Sequence, residues 1–237
     1  MNKVYLVGAG PGDPQLLTIR AIKILKKADV VLYDRLVDKR IIKIIPKQIK
    51  KIPVGKKVGE DSNEKQNEIH KLIKKYYKLG KNVVRLKGGD PFLFGRGGEE
   101  IIFMKKENIR FKVIPGITSA IGIPTLIGLP LTHRDYSSSV IIVPGHLKEG
   151  KEIDWKKLAE FDGTLVILMG ASKIMEIAQK LIMYGMDPMT PVCAIMNGSK
   201  KGQKIVISNL KDISGLKAPA VIVIGKVVNI IDKSTYV

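Results

Sequence analysis

Residues 83–100 read V-V-R-L-K-G-G-D-P-F-L-F-G-R-G-G-E-E, and this stretch sets the architecture of the chain. It begins as a buried strand, turns sharply at Gly88-Gly89, and delivers Asp90, Arg96 and Glu99 into an open loop. Five glycines in eighteen residues are costly to order, so the loop needs a reason to exist. Close approach of main chain to a ligand supplies one, and the flanking charges point to a polar ligand. A purely structural turn leaves Arg96 and Glu99 unexplained.

The pattern repeats on either side of this stretch. Residues 4–7 form a short apolar strand followed by Gly8-Ala9-Gly10-Pro11-Gly12, with Asp13 as an N-cap and Pro14 at the first helical position. Leu17, Ala21, Ile24, Leu25 and Ala28 recur at helical spacing. A second strand at 29–33 ends at Asp34-Arg35, and a third at 51–54 ends at Gly55-Lys56. Ser62 caps a long helix with a core face of Ile69, Leu72, Ile73, Tyr76 and Tyr77, closed by Gly80. The strand at 82–86, the glycine loop and a helix through about Lys106 follow. Strands alternating with helices predict a mostly parallel sheet covered on both faces. In such sheets ligands gather at the carboxyl ends of the strands. Gly10-Pro11, Asp34, Lys56 and Asp90 all lie just past predicted strand ends.

The character of the chain changes after 111–114. Pro115-Gly116 reads as a hinge, and an apolar, small-residue segment runs from 117 to 131. Further strands are predicted at 140–143, 164–169 and 192–196, with 204–208 and 220–224 as a late antiparallel pairing. Ile174, Ile177, Ala178, Leu181 and Ile182 make an amphipathic helix. The prediction is an α/β fold of two α/β domains, residues 1–112 and 113–237.

At 237 residues, 45% hydrophobic and 27% charged, the composition is that of a folded globular protein. The longest apolar run, 121–131, is too short and too broken by Gly122, Pro124, Gly128 and Pro130 to span a bilayer. The first residues run straight into a strand pattern, which predicts no signal peptide, and a single cysteine, Cys193, excludes an internal disulfide. A cytoplasmic location follows as the expectation. The net charge of +19 favours an anionic partner, whether nucleic acid, an acidic membrane surface or a polyanionic small molecule, and does not choose among them.

Gly8-x-Gly10-x-Gly12 is not a dinucleotide fingerprint, because Asp13 stands where that motif needs a glycine and would repel a phosphate. No P-loop spacing occurs. Thr132-His133-Arg134-Asp135 is dense in hydrogen-bonding groups, and Arg134 can grip a carboxylate with two parallel bonds, although a solvated turn explains the segment equally. His70 reads as a surface residue, His146 as a loop residue without a role, and Cys193 as core. The three histidines lack metal-ligand spacing, so no metal is expected.

Together these pieces resemble the tetrapyrrole methylases that use S-adenosylmethionine. The resemblance covers nearly the whole chain: V-Y-L-V-G-A-G-P-G-D-P at 4–14, L-Y-D-R-L-V at 32–37, V-G-K-K-V-G at 54–59, the glycine motif at 83–100, and V-I-P-G-I-T-S-A at 113–120. G-L-P-L-T-H-R-D at 128–135, L-M-G at 168–170 and A-P-A-V-I-V-I-G at 218–225 complete it. The glycine motif and T-H-R-D point, within the family, to members acting on uroporphyrinogen III. Methylases of later corrin intermediates share mainly the opening glycine loop and are the alternative. Two departures stand out: Gly225-Lys226-Val227 replaces a common G-E-V, and Met196-Asn197-Gly198 replaces a glutamate-containing version.

The resemblance implies a homodimer of two-domain subunits with the cofactor, S-adenosylmethionine, in a cleft between the domains. It implies cofactor contacts from Pro11, Gly88, Gly89, Asp90, Leu93, Thr118, Ser119, Met169, Gly198, Pro219 and Ala220. It assigns Arg96, Glu99 and Arg134 to the substrate, Asp34 as proton acceptor and Lys56 as proton donor. The implied reaction methylates uroporphyrinogen III at carbons 2 and 7, giving precorrin-2 for cobalamin or sirohaem synthesis. A substrate with eight carboxylates gives the positive charge a use. A nucleic-acid-binding module is the competing class, but aromatics are 5%, no binding motif is present, and basic residues are scattered over both halves. A binding protein without catalysis is a third, made less attractive by Asp34 and Lys56 at strand ends. Neither nucleic acid nor membrane is expected as a partner.

Overall fold

The computed structural model describes residues 2–55, 62–147 and 150–231. The chain divides into two compact units, Met1–Thr118 and Ser119–Val237. In the first, β1 (Val4–Gly8), β2 (Val30–Tyr33), β3 (Lys50–Pro53), β4 (Val83–Lys87) and β5 (Phe111–Ile114) form one sheet in the order β3-β2-β4-β1-β5. Every pairing in it is parallel. Parallel neighbours need crossovers, and α1 (Ile19–Leu25), α2 (Lys39–Ile44), α3 (Ser62–Lys78) and α4 (Gly97–Lys106) supply them.

Alternation along the strands sends side chains to two buried faces. Val7, Val31, Val84 and Leu86 pack with Ala21, Leu25, Ile41 and Ile45 of α1 and the α2 region. Val4, Val30, Leu32 and Val83 pack with Ile69, Ile73 and Met104 of α3 and α4. Burying a Val, Leu or Ile side chain is worth roughly 1.5–3 kcal/mol each, so two such faces carry the unit. The sheet is therefore covered on both sides, as the alternation of elements predicts.

Two local expectations change. The helix expected from Pro14 is split into a 3-10 turn, Pro14–Leu16, and α1. Asp13 caps the turn, accepting from Gln15 N–H at 2.9 Å, and Thr18 caps α1, its Oγ1 accepting from Ala21 N–H at 3.1 Å. The division expected between 112 and 113 falls inside β5, where Lys112 and Val113 pair with Tyr5 and Leu6, so the whole strand belongs to the first unit.

The second unit opens with α5 (Ser119–Leu126) and continues through β6 (Val140–Pro144), α6 (Trp155–Ala159), β7 (Thr164–Leu168), α7 (Ile174–Met183), β8 (Pro191–Met196), β9 (Lys204–Asn209) and β10 (Ala220–Ile224). Its sheet runs β6-β7-β10-β8-β9. β6 and β7 are parallel, and the other pairs are antiparallel. The last two strands do not pair with each other as expected; both flank β8. A tight turn at 197–203, with Asn197, Ser199 and Gly202 at positive φ, folds β9 back onto β8. The longer return at 210–219 buries Leu210, Ile213 and Leu216 in the core beside Trp155, Ile177 and Leu181, which carries β10 to the far side of β8.

Candidate active site

The carboxyl ends of β1, β4 and β5 meet through glycines. Gly10 and Gly89 form an isolated bridge, Gly89 N–H donating to Gly10 O at 2.8 Å and Gly10 N–H to Gly89 O at 3.1 Å. A Cβ on Gly8 would lie 2.5 Å from Gly116 N, and one on Gly116 would lie 2.3 Å from Gly89 O. No side chain fits at Gly8 or Gly116, so three loops touch main chain to main chain. Gly116 is thus locked into this rim and is not the hinge expected at Pro115-Gly116. Gly10 and Gly89 sit at φ +70° and +67°, a region that costs other L-residues about 1–2 kcal/mol.

Asp90 braces the same rim. Its Oδ1 accepts from Phe92 N–H at 2.9 Å and Leu93 N–H at 3.4 Å, and its Oδ2 accepts from Gly116 N–H at 3.3 Å. Main-chain amides hold its carboxylate in place, a structural use beyond the cofactor contact expected for it. Beyond the turn, Arg96 precedes α4 in the left-handed region at φ 58°. It donates from Nε to Glu99 Oε1 at 2.9 Å and from Nη2 to Glu99 Oε2 at 2.5 Å, and Nη2 lies 3.4 Å from Asn63 Oδ1. The hydrogen bond from Arg96 holds the Glu99 carboxyl below its ordinary range. Arg96 and Glu99, both predicted for the substrate, are therefore one ion pair.

Asp34 sits just past β2, its side chain 26% exposed, and accepts from Arg85 Nη2 at 2.5 Å. Arg85 is buried on the central strand β4. Its Nε donates to Glu100 Oε1 at 3.0 Å and its Nη1 to Leu86 O at 3.2 Å. Lys87, two residues on and on the same face, donates to the same Glu100 oxygen at 3.1 Å, and Gln66 Nε2 donates to it at 3.2 Å. Glu100 Oε2 is buried with no hydrogen-bond partner among the described residues. Burial alone would raise the Glu100 carboxyl, but Arg85 and Lys87 outweigh it and hold it below its usual value. Burial, reinforced by Arg85, lowers the Lys87 ammonium.

This cluster escaped sequence reading, which used β4 only as a strand leading to the glycines. The signal was present: two cations two residues apart in a strand otherwise apolar, followed by Glu99-Glu100 in the next helix. His70, expected at the surface, is half-buried. It stacks on Phe103 at 4.1 Å and lies 3.2 Å from Gln66 Nε2, and burial lowers its imidazole. Lys56 lies outside the described residues. Pro11 and Leu93 are partly exposed near these turns, and Gly88 approaches Leu36, a Cβ there lying 3.2 Å from Leu36 Cβ. Thr118, the last residue of the unit, is partly exposed.

In the second unit the predicted residues again occupy strand ends and turns. Met169 follows β7 at φ 56° and is 47% exposed, with His146 Nδ1 3.1 Å from its carbonyl oxygen. The backbone is tight there, since a Cβ on Gly145 would fall 2.3 Å from Gly170 Cα. Gly198 lies under Ile123 of α5, where a Cβ would meet the Ile123 side chain at 2.4 Å. Pro219 follows a cis peptide and its carbonyl accepts from Asn197 N–H at 2.9 Å, joining the Gly198 turn to the start of β10 at Ala220. Ser119 begins α5. Arg134 is exposed on a turn closed by His133 N–H donating to Ser137 O at 2.8 Å. That turn borders an open hollow of about 590 Å³ lined by Thr132, His133, Arg134, Asp135, Ser137 and Ser138. Lys226, at the G-K-V departure, pairs with Asp162 at 3.6 Å on an exposed end.

Residues 3–214 match the family model of the Tetrapyrrole (Corrin/Porphyrin) Methylases. The chain belongs to this family. This tetrapyrrole methylase is 45% identical over 240 residues to an S-adenosyl-L-methionine-dependent uroporphyrinogen III methyltransferase of Methanosarcina barkeri, covering 98% of the chain and 94% of that relative. It is also 45% identical to siroheme synthase 2 of Cronobacter sakazakii, covering 98% of the chain and 51% of that protein, about half its length. Among solved structures, a uroporphyrin-III C-methyl transferase of Thermus thermophilus complexed with S-adenyl homocysteine has a TM-score of 0.86 at 40% identity, covering 97% of this methylase and all of that chain. Among the described residues no helix is long and apolar enough to cross a membrane, and no cluster of His, Cys, Asp and Glu could hold a metal ion.

Proposed function

We propose that this methylase transfers methyl groups from S-adenosylmethionine to carbons 2 and 7 of uroporphyrinogen III, giving precorrin-2 by way of precorrin-1. The observation that carries the reading is a partly exposed carboxylate, Asp34, fixed by a buried guanidinium at the carboxyl rim of a parallel sheet whose neighbouring turns are main chain. Such a rim suits part of the cofactor: Gly88, Gly89 and Pro11 present backbone, and Leu93 is partly exposed beside them. By the resemblance, Asp90, Thr118, Ser119, Met169, Gly198, Pro219 and Ala220 are proposed as further contacts. When bound, S-adenosylmethionine supplies an electrophilic methyl group on a sulfonium.

The chain's own residues then handle charge and protons. Arg96 and Arg134 bind carboxylates of the macrocycle, and Glu99 fixes the Arg96 guanidinium in one plane. After methylation the macrocycle sheds a proton: the C–H electron pair stays with the ring, and the proton passes to Asp34. Lys56 is proposed as proton donor. The resemblance also carries a cytoplasmic homodimer and a place in cobalamin or sirohaem synthesis.

Purified protein, S-adenosylmethionine and uroporphyrinogen III under anaerobic conditions, with product mass followed, test this directly. A gain of two methyl groups is expected. An unmodified macrocycle, together with methylation of a later corrin precursor, would overturn the substrate assignment. Asp34→Asn and Lys56→Ala are expected to lose about 10²-fold or more in turnover while S-adenosylhomocysteine binding stays within about twofold. Parallel loss of both would refute their proton-transfer roles.

A further inference from the structure

Asp34 does not stand alone at the rim. One Arg85 guanidinium joins it to the interior, with Nη2 on Asp34, Nε on Glu100 and Nη1 on the Leu86 carbonyl. Three nitrogens of one rigid fork thus meet three acceptors from β2's end, α4 and β4 itself. Glu100 is fully buried and is held in turn by Lys87 and Gln66. The four ionisable groups balance as two cations and two carboxylates. We propose that Arg85, anchored by Glu100 and Lys87, is the positioning residue for the proton acceptor: it fixes one Asp34 oxygen, leaving the exposed part of the group to take the substrate proton.

The chemistry favours arginine in this place. A guanidinium does not give up its proton in proteins, so a proton collected by Asp34 is not exchanged with Arg85 and stays on the carboxylate until water removes it. A lysine would offer a single nitrogen and could not span Glu100, the Leu86 carbonyl and Asp34 at once. Burial of the anchor keeps water from competing for the fork, and the second cation keeps Glu100 from drawing Arg85 away from Asp34. Among the described residues, the charged groups that act on one another here are Asp34 just past β2, Arg85 and Lys87 from β4, and Glu100 from α4, with Glu100 also acting on His70 of α3 and on Glu99. Lys56 lies outside the described residues.

This inference rests on Asp34 as the proton acceptor, so Asp34→Asn is measured first. Full turnover in that variant would remove the Asp34 reading and this one with it. Where Asp34→Asn is impaired, Arg85→Lys decides. It is expected to lower kcat about tenfold or more while KM and S-adenosylhomocysteine binding stay within about twofold. Because both changes act through one group, Arg85→Lys is expected to cost nothing further in the Asp34→Asn background. Arg85→Gln, which removes the three-pronged fork, is expected to lower kcat at least as far as Arg85→Lys, with KM and S-adenosylhomocysteine binding again within about twofold. Wild-type kcat in Arg85→Lys or in Arg85→Gln, or losses that multiply in the double variant, would each overturn the proposal while leaving Asp34's role intact. Should Arg85→Gln fail to fold, Arg85→Lys and the double variant decide alone.

Discussion

Arg96 shows how a single residue can carry strain for a purpose. Its φ of 58° costs a residue with a Cβ about 1–2 kcal/mol, yet the chain places an arginine there where glycine would be relaxed. Arg96→Gly should therefore change stability by no more than about 1 kcal/mol, since relief of strain is offset by the greater entropy of glycine in the unfolded chain. If Arg96 binds the substrate as proposed, turnover should fall at least about tenfold, with the loss mostly in KM for the macrocycle, because the fork proposed to grip its carboxylates has gone. Thermal unfolding and steady-state kinetics on the one variant separate the two effects, and a variant that loses several kcal/mol would assign Arg96 to folding. Glu100 is the opposite case, a carboxylate that works unseen. Its folded-state pKa lies below the ordinary value near ~4.3, so its ion pairs stabilise the fold above that pH, and the contribution disappears as pH falls through the lowered folded value. Glu100→Gln should be clearly less stable than wild type at pH 7, and the gap should close on acidification. A gap that held constant to pH 3 would mean that shape, not charge, accounts for the difference.

Elements were largely legible because hydrophobic pattern and punctuation agree in them. The strand predicted at 111–114 has the bounds of β5, and β1, β2 and β4 fall within a residue of expectation, each apolar run ending at glycine or aspartate. What pattern could not supply was partner choice. The antiparallel partners of β9 and β10 depend on which connection buries its apolar residues, and Leu210, Ile213 and Leu216 read the same whether the chain crosses β8 or not. The buried cluster was hidden for a related reason: period-two reading places Arg85 and Lys87 on a face without saying that Gln66 and Glu100 cover it. The glycines of the rim could be seen as a group but not told apart, and here the structure makes a sharp prediction. Gly116→Ala drives a Cβ to 2.3 Å from Gly89 O, so backbone must move, and a loss of several kcal/mol or failure to fold is expected. Gly98, inside α4, has nothing within 4 Å of a new Cβ, so Gly98→Ala should gain roughly 0.5–1 kcal/mol from helix propensity. Equal behaviour of the two variants in denaturant titration would contradict the interlock of the three loops.

At the scale of the whole molecule, charge and core make separate demands. An excess of 19 positive charges favours capture of a many-acid substrate, and KM for such a macrocycle should rise with salt while S-adenosylhomocysteine affinity changes little. Salt-independent KM would leave the charge without that use. Each unit has its own apolar core, and the second carries two unique reporters. Trp155, the single tryptophan, packs in that core, and Cys193, the single cysteine, is buried on β8 between Val192 and Ala194, which face the same core. Burial pushes the Cys193 thiol up to about 12, against about 8.5 for an exposed cysteine, so the native protein holds almost no thiolate at pH 8. Thiol reagents should leave the folded protein unmodified, and labelling should begin only when the second unit opens. Tryptophan fluorescence and Cys193 labelling should therefore share one denaturant midpoint, because β8, which carries Cys193, packs its alternate residues Val192 and Ala194 into the core that holds Trp155. Far-UV circular dichroism reports on both units, so a second transition there, absent from the two probes, would belong to the first unit. Rapid labelling in native buffer, or a labelling midpoint well below that of the fluorescence change, would mean that β8 opens without the rest of its sheet and that the packing around Cys193 is looser than the structure gives.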